Sequence, residues 1–295
     1  MNIEYSFPRY LLSKQSVDDR ALNKDVLSAL KTHLTDAPVS IIEVGGGIGT
    51  MLARLLRWKV VSQVEYTLVD EMAENIAFAR KWLPRWAEEN GRKVENRGDR
   101  VRIYGKSCDV SVRLVQADVF DFIAQNPAPA DLLIAHAFLD LLPMPKSLPK
   151  LLSLTNNLAW LTINFDGVTT FEPALDPELD AKIEQLYHQT MDSRPGGGDS
   201  QSGRHLFTYL EQAGARVEAA GASDWVVYPV EGRYPHDESY FLHFILYFFE
   251  ESLGNHPDLE KDLFLPWLQK RRQQVMRGEL IYIAHQMDFL VRVSR

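Results

Sequence analysis

The residues Ser40-Ile41-Ile42-Glu43-Val44-Gly45-Gly46-Gly47-Ile48-Gly49-Thr50 carry the strongest structural signal in this chain. An apolar run ends in an acid and a glycine-rich turn, and a helical pattern from about Thr50 to Trp58 follows. Glycine is needed where a backbone turns sharply or approaches a ligand, and the free N–H groups at a helix start attract anionic groups. The stretch therefore predicts a strand over 40–44 and a nucleotide-type cofactor site beside it.

The spacing of the glycines narrows the kind of cofactor. The dinucleotide fingerprint requires G-x-G-x-x-G, and counting from Gly45 and Gly47 places Thr50 at its third glycine position. A phosphate-binding P-loop is excluded because no Gly-Lys-Ser/Thr follows. The pattern present is acid-x-Gly-x-Gly-x-Gly, with Glu43 as the acid.

Strand candidates alternate with helical stretches on the C-terminal side of this turn. The strand candidates are Glu65–Val69, Val112–Ala117, Asp131–Ala135, Leu158–Asn164, Arg216–Ala219, Trp225–Tyr228 and Leu280–Val293, the last with a helix as the alternative. The helical stretches are 72–89, 177–191, 204–213 and 237–277, the last broken near 254–257. Residues 90–106 are polar and are predicted to be a loop or an insertion. This alternation predicts an α/β fold with a mainly parallel sheet.

The predicted organisation is a helical cap over residues 1–38 and one domain over 39–295. Residues 235–278 are interpreted as a helical insertion that contributes to the cap. The segment 192–203 is the most loop-like in the chain, and a loop of that length in a compact domain is often functional or mobile.

Composition and charge exclude several classes of protein. The 295 residues are 45% hydrophobic and 24% charged, which suits one large globular domain or one domain with a cap. No apolar run reaches about 18 residues and no secretory signal precedes Tyr10, so no membrane insertion is expected. The net charge of −8 argues against a nucleic-acid partner. Cys108 is the only cysteine, which excludes a thiolate metal cluster, predicts no metal and favours a cytoplasmic location.

Four sequence elements, taken together, resemble the motifs of class I S-adenosylmethionine-dependent methyltransferases. Glu43–Gly49 resembles the first motif of that family, and Asp70 stands where the family has an acid at the end of its second strand. Gln116–Val119 resembles the third motif and Asp131–His136 the fourth. The four elements occur in the family's order between residues 40 and 164.

The resemblance implies a fold and a cofactor. The fold would be a Rossmann-like seven-stranded sheet, mostly parallel with an antiparallel last strand, together with helical cap elements. The cofactor would be S-adenosyl-L-methionine, with Asp70 on the ribose hydroxyls, Asp118 on the adenine amino group and Met72 against the adenine ring. The residues predicted to bind it are Glu43, Gly45, Gly46, Gly47, Gly49, Asp70, Met72, Asp118, Val119, His136 and Arg20.

Each of these residues also has a purely structural interpretation. Asp70 and Asp118 precede helical stretches and could be helix caps. Glu43 could be only a charged strand end, and Met72 an ordinary core methionine. Arg20 is interpreted as reaching the carboxylate of the cofactor from the cap, with a surface charge on an amphipathic helix as the alternative.

His136 is the predicted general base because it ends the fourth strand candidate and a histidine titrates near neutral pH. Asp140 lies four residues on and is predicted to orient His136. The alternative for His136 is that it only shapes the pocket, and the alternative for Asp140 is a capping or surface role.

Five polar or aromatic residues are predicted to bind the acceptor: Tyr10, Arg204, His205, His236 and Tyr240. Arg204 and His205 follow the glycine-rich 192–203 loop, for which a solvated loop is the default interpretation. His236 and Tyr240 belong to an aromatic stripe that ordinary helix packing also explains.

The sequence thus predicts a methyltransferase that acts on a small molecule, with an oxygen acceptor favoured over nitrogen. Two alternatives are a methyltransferase-like binding module without turnover and an NAD-linked oxidoreductase. The sequence leaves the acceptor unidentified and a homodimer open.

Overall fold

The computed structural model describes residues 4–34 and 37–293. The predicted ranges 1–38 and 39–295 also include residues 1–3, 35–36 and 294–295, which lie outside the described part. The division into a cap and a main domain stays a prediction.

Ten strands in the described residues form one sheet. The strands are β1 Val39–Val44, β2 Gln63–Asp70, β3 Lys93–Arg97, β4 Arg100–Gly105, β5 Cys108–Gln116, β6 Ala130–His136, β7 Thr155–Glu172, β8 Ala215–Ala222, β9 Trp225–Val227 and β10 Ile281–Val293. Their spatial order is β3-β4-β5-β2-β1-β6-β7-β10-β8, and β9 pairs with β10.

The strand directions confirm the predicted Rossmann-like architecture. The pairs β5–β2, β2–β1, β1–β6 and β6–β7 are parallel. The last strand, β10, is antiparallel to both of its neighbours, β7 and β8. The sheet is therefore mostly parallel with an antiparallel last strand, as the sequence predicts.

The strand count of ten corrects the predicted seven. Strands β3 and β4 form an antiparallel hairpin on the edge of β5, within the 90–106 segment that was predicted to be a loop or an insertion. Exposed edge strands typically carry charges, and four of the five β3 residues are exposed. An apolar alternation is therefore missing from β3. The short strand β9 lies at the strand candidate Trp225–Tyr228 and is the third strand beyond the seven that the resemblance implies.

Eleven α-helices in the described residues connect and cover these strands. They are α1 Phe7–Ser13, α2 Gln15–Ala21, α3 Lys24–His33, α4 Thr50–Arg57, α5 Ala73–Glu89, α6 Val119–Ala124, α7 Met144–Leu152, α8 Pro177–Asp192, α9 Ser202–Gln212, α10 Glu238–Leu253 and α11 Lys261–Arg277. Helices α10 and α11 confirm the helical prediction for 237–277 and its break near Gly254.

Both faces of the sheet are buried, as expected for parallel strands covered by helices. On one face the core includes Met51 of α4, Leu83 of α5 and Phe241 of α10. On the other face it includes Leu148 of α7 and Leu206 of α9. Helix α10 packs against α1, α8 and α11, which places the predicted cap elements next to each other. No helix in the described ranges is long and apolar enough to cross a membrane.

Candidate functional site

The candidate site lies at the carboxyl end of β1, where the order of strands reverses. Strand β1 pairs with β2 on one side and with β6 on the other. The chain first builds the β2–β5 half of the sheet and then crosses over to β6 and β7. In open α/β sheets the crevice at such a reversal is the usual position for a ligand.

The glycine turn that follows β1 is closely covered by neighbouring side chains. Gly45 and Gly47 have φ angles of +61° and +55°, in the left-handed region that favours glycine. A Cβ atom on Gly45 would lie 2.3 Å from the Phe138 ring, and one on Gly47 would lie 2.8 Å from Leu11 of α1. The Gly46 N–H donates to the Val69 carbonyl, and Gly49 directly precedes α4. The predicted glycines therefore form one compact cradle at the carboxyl edge of the sheet.

Asp70 holds this cradle to the start of α5. Its carboxylate accepts the Gly47 N–H at 2.8 Å, the Met72 N–H at 3.0 Å and the Asn75 side-chain amide at 3.0 Å. Asp70 is buried, whereas Met72 is 37% exposed at the helix start. The contacts of these two residues with ribose and adenine stay predictions.

Glu43 supports the cradle from beneath. It is buried and accepts a hydrogen bond from the Tyr66 hydroxyl at 2.6 Å. Burial raises the pKa of Glu43 to about 8, although the Tyr66 hydrogen bond and the Arg54 charge lower it. Glu43 is therefore a buried, largely protonated carboxyl group rather than the charged strand end of its alternative interpretation, and its contact with the cofactor stays a prediction.

The raised pKa of Glu43 predicts a pH dependence of stability. The folded protein keeps a proton on Glu43 that the unfolded chain loses above about 4.5, so this stabilisation is lost as the pH rises towards about 8. In that window the free energy of unfolding should fall by about 1.4 kcal/mol per pH unit relative to Glu43→Gln. Urea denaturation at several pH values measures the difference, with Glu89→Gln at an exposed position of α5 as the control. Parallel pH profiles of wild type and Glu43→Gln would contradict the assignment.

Asp118 is the N-cap of α6, which is the alternative given for it above. Its Oδ1 accepts the N–H groups of Phe120 at 2.7 Å and Asp121 at 3.2 Å. Val119, the first residue of α6, is buried. Contact of Asp118 or Val119 with an adenine ring stays a prediction.

His136 has both ring nitrogens in hydrogen bonds. Nδ1 lies 2.8 Å from Thr162 Oγ1 and Nε2 lies 2.9 Å from Asp18 Oδ2. Burial lowers the pKa of His136 to about 4, against the opposing charge of Asp18. The ring is therefore neutral near neutral pH and has no free nitrogen, which argues against its predicted role as general base.

Asp140 does not orient His136, so the predicted pairing of these two residues is wrong. Asp140 lies in the 3-10 turn Leu139–Leu141, and its backbone carbonyl accepts the Asp199 N–H at 3.2 Å. The partner of His136 is instead Asp18, which is 118 residues away in the sequence. A spacing of four residues predicts contact only within a helix, and the chain leaves β6 through an irregular turn.

Asp18 is the centre of a buried charged network that the sequence analysis missed. It accepts hydrogen bonds from Trp225 Nε1 at 2.9 Å and His136 Nε2, and its Oδ2 lies 3.2 Å from Lys14 Nζ. Burial alone would raise the pKa of Asp18, but Lys14 and His136 hold it well below its usual range. The network joins α2 to the end of β6, and no local pattern relates its members.

Arg20 does not extend towards the glycine cradle. Its guanidinium forms two hydrogen bonds with Glu238 of α10, at 2.6 Å and 2.9 Å. Glu238 is fully buried, and an unpaired buried carboxylate would destabilise the fold. Arg20 therefore neutralises the charge of Glu238. The predicted contact of Arg20 with the cofactor carboxylate is replaced by this link between α2 and α10.

The predicted acceptor residues fall into two groups. Arg204 pairs with Asp166 at 2.9 Å, and His205 Nδ1 lies 2.8 Å from Asp199. His205 lines an open cavity of about 430 Å³ between the 192–203 loop and Pro143–Pro145. This loop therefore lies against the segment that follows β6, close to Asp140.

Tyr240 and His236 lie at the junction of α10 with the N-terminal segment. The Tyr240 hydroxyl accepts the Ser6 N–H at 2.7 Å, and Arg9 lies 3.9 Å above the Tyr240 ring. His236 is exposed before α10. Tyr240 therefore packs the cap together, which is the ordinary role weighed for it above.

Tyr10 is buried among the aromatic rings of α10. Its ring centroid lies 4.5 Å from that of Phe244 and 5.8 Å from that of Phe241.

Within the described ranges, no group of three or more His, Cys, Asp or Glu side chains is placed to hold a metal ion.

Comparisons with known proteins give likenesses of structure only. No protein-family model matches the sequence, and no curated protein matches it. A methyltransferase from Thiobacillus denitrificans in complex with S-adenosyl-L-homocysteine is 12% identical over 100% of both chains, with a TM-score of 0.48. Magnesium protoporphyrin IX methyltransferase from Synechocystis is 15% identical over 76% of this chain and 83% of its own, with a TM-score of 0.45.

A third similar structure is the cyclopropane synthase MmaA2 from Mycobacterium tuberculosis. It is 9% identical over 99% of this chain and 100% of its own, with a TM-score of 0.45. All three TM-scores are below 0.5, so a function has to be argued from the residues of the site itself.

Proposed function

We propose that this chain is a class I S-adenosylmethionine-dependent methyltransferase that methylates a small molecule, with oxygen as the acceptor atom. The observation that supports this most is the glycine cradle at the reversal of strand order, with its Gly47 N–H fixed by Asp70 at 2.8 Å. Gly45 and Gly47 have no Cβ atoms, which allows the Phe138 ring and Leu11 to pack directly onto the turn and close the cradle.

The cradle fits S-adenosylmethionine better than a dinucleotide. The third glycine of the dinucleotide fingerprint allows close packing of the helix onto the strand, and here that position is Thr50, the first residue of α4. The acid Asp70 ends β2 beside the cradle, where a carboxylate can accept hydrogen bonds from ribose hydroxyls. The NAD-linked alternative therefore lacks the spacing it requires.

When bound, S-adenosylmethionine supplies a methyl group on a positively charged sulfur. The protein then has to align the acceptor with that methyl group and exclude water, and such positioning can supply roughly 7–11 kcal/mol. Leu11 of α1 covers Gly47 and Phe138 covers Gly45, so the N-terminal helices and the end of β6 close the cradle on two sides. The network around Asp18 holds α2 in that closed arrangement.

An oxygen acceptor is supported by Asp140. A hydroxyl group must lose its proton during methyl transfer, and Asp140 is a half-buried carboxylate in the turn directly after β6. Burial raises the pKa of Asp140, which makes it a stronger base than an exposed aspartate. A nitrogen acceptor remains the alternative, and mass spectrometry of the methylated product would distinguish the two.

Titration calorimetry with S-adenosylhomocysteine tests the proposal. We expect saturable binding with one site per chain and no binding of NAD⁺. At about 100 times its dissociation constant the ligand should raise the free energy of unfolding by about 2.7 kcal/mol. Binding of NAD⁺ without binding of S-adenosylhomocysteine would overturn the proposal.

A second measurement separates an enzyme from a binding module. Cell extract is incubated with the protein and methyl-labelled S-adenosylmethionine, and transfer of label to small molecules is followed. Binding of S-adenosylhomocysteine without any labelled product would favour the module without turnover.

A further inference from the structure

Three tyrosine hydroxyls from distant parts of the chain make no hydrogen bond to any residue that the structure describes. Tyr10 belongs to α1, Tyr187 to α8 and Tyr282 to β10. Tyr10 and Tyr282 are 7% and 5% exposed, and Tyr187 is half-buried. Across residues 4–34 and 37–293 none of the three hydroxyls makes a hydrogen bond. The rings are largely buried but the three hydroxyl oxygens remain accessible to solvent, so they can donate hydrogen bonds to a bound polar ligand.

The three tyrosines belong to one continuous set of aromatic rings. Neighbouring ring centroids along this set are 3.9–6.2 Å apart. The order of the rings is Tyr10, Phe241, Tyr282, Phe171, Phe249 and Tyr187. We call this set the aromatic belt. Phe241 and Phe249 are fully buried between neighbouring rings, so it is the tyrosines of the belt that can meet a ligand. Their rings pack well against the face or edge of a planar aromatic compound.

Asp140 lies in the turn after β6, two residues from the ring that covers the glycine cradle. The charge of Asp140 is one of the causes that raise the pKa values of Tyr10 and Tyr187, after burial itself. Phe138, two residues earlier, is the side chain that covers Gly45. The Asp140 carboxylate forms no hydrogen bond or ion pair with another residue in the described part of the chain.

The three tyrosines and Asp140 differ in which of them carries a proton near neutral pH. Burial raises the pKa of Tyr187 to about 12 and raises those of Tyr10 and Tyr282 well above the ordinary value. The tyrosines therefore stay protonated and can donate hydrogen bonds. Asp140 is the group among these that can accept a proton near neutral pH.

We propose that the acceptor is a planar aromatic compound with a hydroxyl group, bound by the aromatic belt and deprotonated by Asp140. This rests on the proposed methyltransferase function. The acceptor oxygen forms a bond to the methyl carbon while the carbon–sulfur bond breaks and its electron pair stays on sulfur. The hydroxyl proton moves to the Asp140 carboxylate, and the tyrosine hydroxyls hold the oxygen atoms of the acceptor.

Binding of 7-hydroxycoumarin to the protein saturated with S-adenosylhomocysteine tests the substrate class, with cyclohexanol as the non-aromatic control. We expect saturable binding of 7-hydroxycoumarin only. Tyr282→Phe keeps the ring and removes one hydroxyl, so it should weaken binding roughly three- to tenfold. Tyr104→Phe on the β4 hairpin, outside the belt, should bind like wild type.

Methylation of 7-hydroxycoumarin tests the role of Asp140. We expect Asp140→Asn to lower kcat by roughly a hundredfold or more with KM nearly unchanged, and to abolish the fall of the rate at low pH. Unchanged affinity for S-adenosylhomocysteine shows that this variant is folded. If the wild type binds the probe without methylating it, or if Asp140→Asn matches wild type, Asp140 is not the base.

The possible outcomes distinguish the proposal of an aromatic acceptor from the methyltransferase proposal on which it rests. Binding of S-adenosylhomocysteine together with equal, weak binding of 7-hydroxycoumarin and cyclohexanol would overturn the aromatic acceptor and leave the methyltransferase proposal standing. Failure to bind S-adenosylhomocysteine would overturn both.

Discussion

The Gly47→Asp variant is expected to bind S-adenosylhomocysteine at least about a hundredfold more weakly than wild type, a loss of about 2.8 kcal/mol. The new Cβ atom would lie 2.8 Å from Leu11, and the residue would have to keep a φ angle of +55°. Such backbone conformations cost on the order of 1–3 kcal/mol for residues other than glycine. The added carboxylate would also face Asp70, whose Oδ2 lies 2.8 Å from the Gly47 nitrogen.

Gly98→Asp is the matched control for this experiment. Gly98 has a φ angle of +63°, and no atom lies within 4 Å of its Cβ position. The substitution thus adds the same side chain at a similar backbone conformation, on the β3–β4 hairpin. Calorimetry should give wild-type affinity for Gly98→Asp. Equal affinities of both variants would show that the cradle does not hold the cofactor.

The Asp18→Asn variant is expected to lower the free energy of unfolding by about 3–5 kcal/mol, because it leaves the buried Lys14 ammonium without its counter-charge. Asp18 is 1% exposed and Lys14 is 5% exposed. The guanidinium of Arg54 is also buried, with its NH2 group 3.7 Å from Asp18 Oδ2. Asparagine keeps the shape of the side chain and removes its charge, so the effect reports on the network itself.

Urea denaturation at neutral pH measures this loss, and Asp237→Asn is the control. Asp237 pairs with Arg9 on the surface, where the two side chains are 46% and 54% exposed, so its removal should cost at most about 1 kcal/mol. Similar midpoints for the two variants would contradict a stabilising role for the buried network.

The same network predicts how acid destabilises the protein. The pKa of His136 is lowered from 6.5 to about 4, so the unfolded chain takes up this proton first and stability falls as the pH drops through that window. The pKa of Asp18 is held below its usual range, so its contribution is complete above 3.8 and is lost at still lower pH. Both effects therefore favour the folded state at neutral pH over acid.

Local sequence patterns predicted eight of the ten strands in the described residues and missed the β3–β4 hairpin at one edge of the sheet. Strands β1, β2, β6 and β7 are buried on both faces, so their apolar runs stand out between turns and helices. Strand β3 is exposed and charged, so a pattern based on hydrophobic residues has no signal there. Strand β4 buries Val101 and Ile103 in the core and pairs with β5, and its short alternating run was missed within a polar segment.

The residues of the candidate site also fall into those that local sequence patterns predict and those that depend on contacts between distant segments. Glycine spacing and the acid at the end of β2 are properties of single strand–turn units, and the structure places Gly47 and Asp70 in direct contact. The partner of His136 was mispredicted because Asp18 lies 118 residues away. Tyr187 and Tyr282 were not singled out, since their relation to Tyr10 exists only once α1, α8 and β10 have packed around the same rings.

The sequence by itself determined the Rossmann-like order of elements, the glycine cradle at the end of β1 and the type of cofactor proposed for it. These follow from the periodicity of apolar residues and from the conformational freedom of glycine, which are local properties. Only the tertiary structure decided that His136 is paired and neutral, and that the Asp140 carboxylate makes no hydrogen bond to another residue of 4–34 or 37–293. It also decided which rings form the aromatic belt. Hydrogen-bond partners and burial depend on contacts between distant segments, and these also set the pKa values from which the chemical roles are inferred.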